Sequence, residues 1–232
     1  MWAIINVLEL TLMAIWTGLS CIIVFFLPNK WVYKYIQNIW SRSLVLMVGG
    51  IIKSTGKGNI KDGQNYMFLS NHASWGDIVV IFNTIKRQVR FIAKKELAKL
   101  PFIGIIMKKM GMIFVDRGNP KAAAISVKDT LEHIKGGVDI IAFPEGTRSK
   151  TGKLGPFKKG VFMIAIKTEI DIIPVGICKV QKVWALNNFS FRPGVIKVNI
   201  GEPISTKGYN ESNVLELVEK VRNQVLILSE EV

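Results

Sequence analysis

The sequence predicts an α/β fold in which a largely parallel central sheet is flanked by helices and preceded by a helical membrane anchor. Three observations support this prediction. Short runs rich in β-forming residues recur along the chain, segments with helical spacing lie between several of them, and the first 29 residues contain no lysine or arginine. Strands that alternate with helices are typical of a parallel sheet covered on both faces. We therefore place anchoring helices in residues 1–55 and an α/β domain in residues 56–232.

The amino-terminal segment has the composition of a membrane-seeking helix. Leu10 to Leu27 is an uncharged run of 18 residues, long enough to cross a bilayer. A cleavable signal peptide is not expected, because no basic residue precedes Lys30. Residues 31–52 carry aromatic side chains among basic ones, which is typical of a hydrophobic or amphipathic helix at the headgroup level. The basic flank predicts an inner (cytoplasmic) membrane location with the domain facing the cytoplasm, and leaves open whether the first helix spans the bilayer or lies in one leaflet.

The α/β domain is predicted to contain alternating strands and helices. The strands are Tyr66 to Ser70, Val89 to Ala93, Met112 to Asp116, Val138 to Phe143, Asp171 to Ile177 and Ile196 to Ile200. The helices are Asp77 to Lys86, Pro120 to Lys135, Phe157 to Thr168 and Asn210 to Leu228. Ligands of such sheets bind beyond the carboxyl ends of the strands. Polar clusters follow four of these ends, so they are expected to converge on one cleft.

The first cluster contains a candidate general base. His72 follows the strand that ends at Ser70, and Asp77 lies five residues further on. An imidazole accepts a proton near neutral pH, and a carboxylate can fix its tautomer. On one continuous helix the two side chains would lie about 140° apart, so they can meet only if a turn intervenes. The pattern from Ser74 to Asp77 is also a capping box, so Asp77 is open to a second interpretation as a helix cap.

Two further clusters have the chemistry of an anion site. Residues 144–149 contain Glu145, Gly146, Thr147 and Arg148, and arginine can hold a phosphate through two parallel hydrogen bonds. Lys94 follows another strand, and strand alternation predicts that only one of it and its neighbour faces inward. The alternative interpretation of residues 144–149 is a solvated loop, and that of Lys94 and its neighbour is a solvated charged face.

Charge and cysteine usage narrow the partners. The net charge is +14, with nine basic residues against two acidic ones in residues 86–117. Nucleic acid can bind such a patch, but an apolar anchor beside it favours anionic lipid headgroups, so a phospholipid membrane and no nucleic acid is predicted. Cys21 and Cys178 lack metal-site spacing, and no metal site is expected. The second histidine, His133, is predicted to lie near a helix end in a structural role.

Ordered motifs resemble a known family, the 1-acylglycerol-3-phosphate (lysophosphatidic acid) acyltransferases. The first block is the HX4D pair His72 and Asp77, and the second runs from Gly111 to Arg117. The third runs from Phe143 to Ser149, and the fourth from Ile173 to Ile177. The resemblance covers roughly residues 60 to 205. Gly176 in the fourth block departs from the alanine or other small residue that the family pattern leads us to expect.

The resemblance implies transfer of a fatty acyl chain from a coenzyme A or acyl carrier protein thioester to the sn-2 hydroxyl of lysophosphatidic acid, which gives phosphatidic acid. His72 would act as general base and Asp77 would orient it. The acceptor phosphate would be held by Arg148, Lys94 and Arg117, while Glu145, Gly146 and Thr147 would shape the site. No metal or bound cofactor is implied, since the thioester is itself a substrate.

Three alternatives stay open at this point. The acceptor could be another lysophospholipid, a lyso-aminolipid or glycerol 3-phosphate, because the motifs do not separate these well. Ser74 or Ser70 could act as a nucleophile activated by His72. The chain could also be a non-catalytic membrane protein that binds anionic lipid, which would explain its charge and anchor but not its ordered motifs.

Overall fold

The computed structural model describes residues 2–115, 132, 136–149, 151–185 and 190–230. In this part of the chain the predicted fold class is confirmed: a mostly parallel sheet is flanked by helices and preceded by a long apolar helix. The predicted helix 120–135 lies outside the described residues, apart from Glu132.

Seven strands form one sheet in the described part of the chain. They are β1 (Gly50–Thr55), β2 (Tyr66–Ser70), β3 (Val89–Lys94), β4 (Ile113–Val115), β5 (Asp139–Ala142), β6 (Asp171–Cys178) and β7 (Gly194–Ile200). Their order is β1-β7-β6-β2-β5-β3-β4. The five strands from β6 to β4 are mutually parallel, and β7 with β1 runs in the opposite direction. The carboxyl ends of β2, β3, β5 and β6 therefore meet at one edge of the sheet.

Helices cover both faces of this sheet. They are α1 (Trp2–Phe26), α2 (Asn29–Tyr35), α3 (Ser41–Met47), α4 (Gly76–Thr84), α5 (Ile103–Lys109), α6 (Lys159–Lys167), α7 (Val180–Val183) and α8 (Val214–Ser229). A π-helical stretch, Ile36–Trp40, joins α2 to α3, so residues 29–47 form one continuous helix. One apolar core contains residues of α1 to α4, and the other lies under α6 and α8.

The strands agree closely with those predicted from the sequence. β2 has the predicted bounds, because all five of its residues are buried and apolar runs of this kind mark strands in a covered sheet. The missed strand is β1, which lies at the sheet edge beside β7 and alternates between buried and exposed residues. It lies within residues 1–55, so the sheet begins before the predicted boundary between anchor and domain.

The second anchoring helix lies partly against the domain. Val32, Tyr33 and Leu44 are buried on one face, and the amide of Gln37 donates hydrogen bonds to the backbone oxygens of Ile85 and Arg87. The helix predicted to lie at the headgroup level over residues 31–52 thus ends at Met47 in the structure. Its buried face belongs to the core of the domain.

Candidate active site

A short loop, residues 71–75, connects β2 to α4 and is called the histidine loop below. His72 Nδ1 lies 2.7 Å from Asp77 Oδ2, so the two side chains meet across the loop as the sequence spacing requires. The turn is stabilised by Ser74, whose hydroxyl accepts a hydrogen bond from Gly76 N and donates one to Trp184 O. These two hydrogen bonds hold the turn that precedes α4, and this turn brings His72 and Asp77 together.

Asp77 contacts the backbone as well as the imidazole. Its Oδ2 atom also accepts hydrogen bonds from the amides of Ala73 and Ser74, at 2.7 and 2.8 Å. The bond from Ser74 N is the one that the acidic residue makes in a capping box. The two interpretations of Asp77 are therefore compatible, because one oxygen atom orients His72 and also fixes the turn into α4.

The imidazole of His72 is fixed by its faces as well as by its edge. Its ring stacks on Phe143, with centroids 4.0 Å apart and planes at 14°. With Nδ1–H donated to Asp77, Nε2 carries the lone pair and is the nitrogen available to accept a proton. His72 is half-buried and borders two cavities, so this nitrogen is positioned where substrates can reach it.

Two buried polar side chains hold the backbone of the histidine loop. Glu145 accepts hydrogen bonds from His72 N at 2.7 Å and from Gly155 N at 2.9 Å. Burial raises the pKa of Glu145 above its ordinary value, although the two backbone donors lower it. Asn71 pairs through its amide with both the N–H and the C=O of Ile177 in β6. Glu145 thus contacts the protein backbone in this structure, and its predicted role in shaping the acceptor site stays a prediction.

Arg148 and Lys94 lie at the rim of one cavity, together with Gly146 and Thr147. The guanidinium carbon of Arg148 lies 3.9 Å from the centre of the Trp75 ring, so a cation–π contact fixes its position. Lys94 is exposed, and its ammonium lies 3.6 Å from Glu96 Oε1, a surface pair of small energetic weight. Arg117 and His133 lie outside the described residues.

The cavity below this rim is lined mainly by apolar side chains and measures about 450 Å³. Ile78, Phe82, Phe91 and Met107 contribute from the domain, and α1 contributes its own side chains to the opposite wall. His72 lies where this apolar volume meets the cationic rim. The arrangement can therefore hold an apolar chain and an anion on either side of one general base.

Four contributors to the site were not predicted as site residues. They are Phe143, Trp75, Asn71 and the wall that α1 provides. The first three lie within or beside the first and third sequence blocks, so these blocks could have indicated them as site residues. The contribution of α1 has no such signal, because it depends on how the helix packs against the sheet.

Among the residues that the structure describes, no group of three or more histidine, cysteine, aspartate or glutamate side chains is arranged to hold a metal ion. Both cysteines in these residues are free thiols.

The fold and the site together define a class: an α/β protein with a histidine–carboxylate pair between an apolar cavity and a cationic rim. The model of the family described as Acyltransferase matches residues 51–178. The chain belongs to this acyltransferase family, and the resemblance seen in its motifs is confirmed.

Relatives with a stated activity share much of the chain. A 1-acyl-sn-glycerol-3-phosphate acyltransferase of Cocos nucifera is 34% identical over 82% of this chain and 64% of its own length. The enzyme of that name from Saccharomyces cerevisiae is 34% identical over 78% of this chain and 60% of its own length. The chain thus spans somewhat less than two thirds of these relatives.

A solved structure matches the whole chain. The 1-acyl-sn-glycerophosphate (LPA) acyltransferase PlsC from Thermotoga maritima superposes with a TM-score of 0.76 at 28% identity. The match covers 100% of this chain and 96% of that one, so it includes the amino-terminal helices as well as the sheet.

Gly176 departs from the family pattern for a physical reason. This residue of β6 packs directly against the last turn of α8, where a Cβ atom would overlap with the backbone carbonyl of Leu228. Even alanine is too large for the space between this strand and this helix.

Proposed function

We propose that this protein transfers a fatty acyl chain from a thioester to the sn-2 hydroxyl of 1-acylglycerol-3-phosphate. The observation that carries the proposal is the position of His72. Its Nδ1 atom is bound to Asp77, and its ring lies between an apolar cavity and the cations Lys94 and Arg148. A lysophospholipid with a phosphate headgroup has matching parts: an apolar chain, a free hydroxyl and an anion.

The proton transfers can be written with His72 alone. His72 Nε2 removes the proton from the acceptor hydroxyl while the hydroxyl oxygen bonds to the thioester carbonyl carbon. The carbon–sulfur bond then breaks, and Nε2–H returns the proton to the leaving thiolate. Asp77 stabilises the imidazolium between the two steps.

The serine hydroxyls favour this direct route. Ser74 and Ser70 are fully buried, and each hydroxyl already donates to a backbone oxygen, of Trp184 and Asn71 respectively. A nucleophile would have to abandon such a bond and reach the substrate. No metal or bound cofactor takes part in the scheme, which stays a prediction.

The acceptor phosphate is assigned to Arg148 and Lys94, with Arg117 as the third predicted contact. Stacking on Trp75 involves the face of the Arg148 guanidinium, whereas its edge presents the paired donors suited to a phosphate. The apolar cavity is assigned to acyl chain, since its walls would be costly to leave in water.

The test is an assay of the purified protein in phospholipid vesicles with paired donors and acceptors. Acyl-coenzyme A or acyl carrier protein thioester is supplied with lysophosphatidic acid or with monoacylglycerol, which lacks the phosphate. Phosphatidic acid should form from lysophosphatidic acid and be lost in a folded His72→Ala variant. Equal turnover of both acceptors would contradict the phosphate assignment, and normal turnover by His72→Ala would refute the mechanism.

The amino-terminal helix indicates association with a membrane. Ile4–Phe26 is long and apolar enough to cross a bilayer, with a mean hydropathy of 2.0. Only 17% of its most apolar window is buried, which leaves most of this surface available to lipid.

We propose further that α1 lies in one leaflet. It is bonded to the domain at both ends: Asn6 Oδ1 accepts from Phe191 N, and Lys109 donates to the backbone oxygens of Val24 and Phe25. These contacts are separated by roughly 27 Å of helix, nearly the thickness of the hydrocarbon core. A spanning α1 would therefore draw the polar domain into the bilayer.

Orientation can be tested with an epitope added at the amino terminus and another at the carboxyl terminus. In inside-out vesicles of an inner membrane, we expect protease to remove both. Protection of the amino-terminal epitope alone would show that α1 spans the bilayer, and protection of both would contradict the cytoplasmic orientation.

A further inference from the structure

His72 also borders a second cavity, of about 150 Å³, whose lining is polar. It lies on the side of the histidine loop that faces β6, whereas the apolar cavity lies on the side that faces β5 and β3. Residues 152–154, the start of α7 and Ser229 at the end of α8 complete its walls. No step of the proposed acyl transfer involves this second cavity.

The charged groups around this cavity are mainly cationic. Three lysines line it, Lys153, Lys179 and Lys182, against one acidic residue, Glu145. Both oxygens of Glu145 already accept hydrogen bonds from backbone amides. The lining thus has an excess of positive charge, which favours an anion as its ligand.

Lys179 occupies a special position in this lining. It follows β6 directly, at the sheet edge where ligands of parallel sheets bind. Its φ angle is +63°, a left-handed conformation that residues other than glycine rarely adopt. Residues held in this way are concentrated at ligand sites, because the surrounding structure must impose the conformation.

The proposed reaction brings two phosphate-bearing substrates to His72. Lys94 and Arg148 are assigned to the acceptor phosphate, and both line the apolar cavity. The water-soluble carrier of the acyl group, whether coenzyme A or acyl carrier protein, also bears a phosphate at the end of its pantetheine arm. β2 lies between β6 and β5, so a base at its end can receive one substrate from each side.

We propose that the second cavity binds the phosphate at the end of the pantetheine arm of the acyl donor, through Lys179 and Lys182 with Lys153 beside them. The inference rests on the proposed acyl transfer and adds a separate site for the donor. The thioester then approaches His72 from the β6 side, and the acceptor hydroxyl approaches from the apolar side.

The experiment compares the wild-type protein with a Lys179→Gln, Lys182→Gln double variant in steady-state kinetics. The KM for acyl-coenzyme A should rise at least roughly tenfold, because one charge-assisted phosphate contact accounts for about that factor and the variant removes two lysines. The KM for lysophosphatidic acid and kcat should stay unchanged. With an acyl-N-acetylcysteamine thioester, which has no phosphate, the two proteins should have equal KM values for the donor.

A parallel assay with acyl carrier protein thioester identifies the phosphate. A rise in KM with both donors assigns the site to the phosphate that the two carriers share. A rise with acyl-coenzyme A alone would overturn that assignment in favour of the nucleotide phosphates. Lys207→Gln is the matched control, because this exposed lysine follows β7 and lies toward the opposite edge of the sheet.

Two results would overturn the inference: an unchanged donor KM in the double variant, or a rise in the acceptor KM instead. Calorimetric titration of free coenzyme A into the wild-type and double-variant proteins separates this failure from failure of the proposed function. Binding that is weakened in the variant supports the cavity even if lysophosphatidic acid is not the acceptor. Equal binding rejects the cavity while leaving acyl transfer in place.

Discussion

Replacing Asp77 tests how one carboxylate oxygen serves both the base and the turn. Its Oδ2 atom accepts hydrogen bonds from His72 Nδ1, Ala73 N and Ser74 N at 2.7, 2.7 and 2.8 Å. The side chain is 1% exposed, so water cannot easily replace the carboxylate. Asp77→Ala should therefore lower both stability and activity.

The stability loss follows from the two backbone donors. An amide left buried without an acceptor costs about 1–3 kcal/mol, so Ala73 N and Ser74 N together account for roughly 2–6 kcal/mol. A protein of this size loses about 2–4 °C in melting temperature per kcal/mol. Asp77→Ala should thus melt at least about 4 °C below the wild-type protein, since the smaller limits of both estimates give that shift.

Asp77→Asn separates the two effects. The amide oxygen in the place of Oδ2 still accepts hydrogen bonds from the loop, so the histidine tautomer and most of the turn are retained. The amide nitrogen takes the place of Oδ1, which is buried without a hydrogen-bond partner among the described residues, so part of the stability is lost. The variant lacks the charge that stabilises the imidazolium. A bond to a charged group is worth about 0.5–2 kcal/mol more than a neutral one, which predicts a fall in kcat of roughly two- to thirtyfold.

The assay follows release of free thiol from acyl-coenzyme A in the presence of lysophosphatidic acid, alongside thermal melting of each variant. His72→Ala is the control that removes the base while Asp77 keeps both backbone bonds. If Asp77→Asn loses as much melting temperature as Asp77→Ala, the amide does not replace the carboxylate as the acceptor that holds the turn. If Asp77→Ala keeps wild-type turnover, the proposed role in orienting the base is refuted.

Three further substitutions probe the supports of the site. Arg148→Lys should raise the KM for lysophosphatidic acid about tenfold in initial-rate assays, because lysine lacks the paired donors and the planar stack on Trp75; an unchanged KM would contradict this. Gly176→Ala should lower the free energy of unfolding by about 1–3 kcal/mol in urea titrations, whereas Gly58→Ala, where a Cβ meets nothing within 4 Å, should change it little. Burial holds the pKa of Glu145 above its ordinary value, so ionisation of this carboxyl group opposes folding. The contribution of Glu145 to stability should therefore be complete at pH values below its ordinary pKa. This contribution should be lost as the pH rises through the raised pKa of the folded protein. Glu145→Gln should lack this step in unfolding measurements across pH, and an identical profile would show that another group is responsible.

Most of the sheet could be predicted because buried strands have a direct signature in sequence. β2 and β6 are almost entirely buried, and their apolar runs gave bounds within one residue of those observed. The edge strand β1 has no such run, since only part of it is covered. In the pairing of β1 with β7, Gly50 lies beside Gly194, which is 144 residues further along the chain. No local pattern in the sequence encodes such a pairing.

The contact of His72 with Asp77 was predictable because it depends only on a local turn. The stack of His72 on Phe143 was not, because it requires β5 to lie beside β2. The hydrogen bond from His72 N to Glu145 depends on the same strand order, because Glu145 follows β5 and contacts the neighbouring histidine loop. Sequence patterns thus identified the residue types of the site, and strand order determined their contacts.

The position of the base is fixed through the backbone of the histidine loop more than through the imidazole. Asn71 ties the loop to β6, Glu145 ties His72 N to Gly155, and Asp77 holds the next two amides. All three side chains are buried, so each contact is protected from competition by water. In the proposed reaction, a general base held in this way needs little reorganisation when the substrates arrive, and such preorganisation is a major source of catalytic rate. The sequence blocks therefore contain the residues proposed to contact substrate together with residues that hold the loop, and the proposed reaction depends on both.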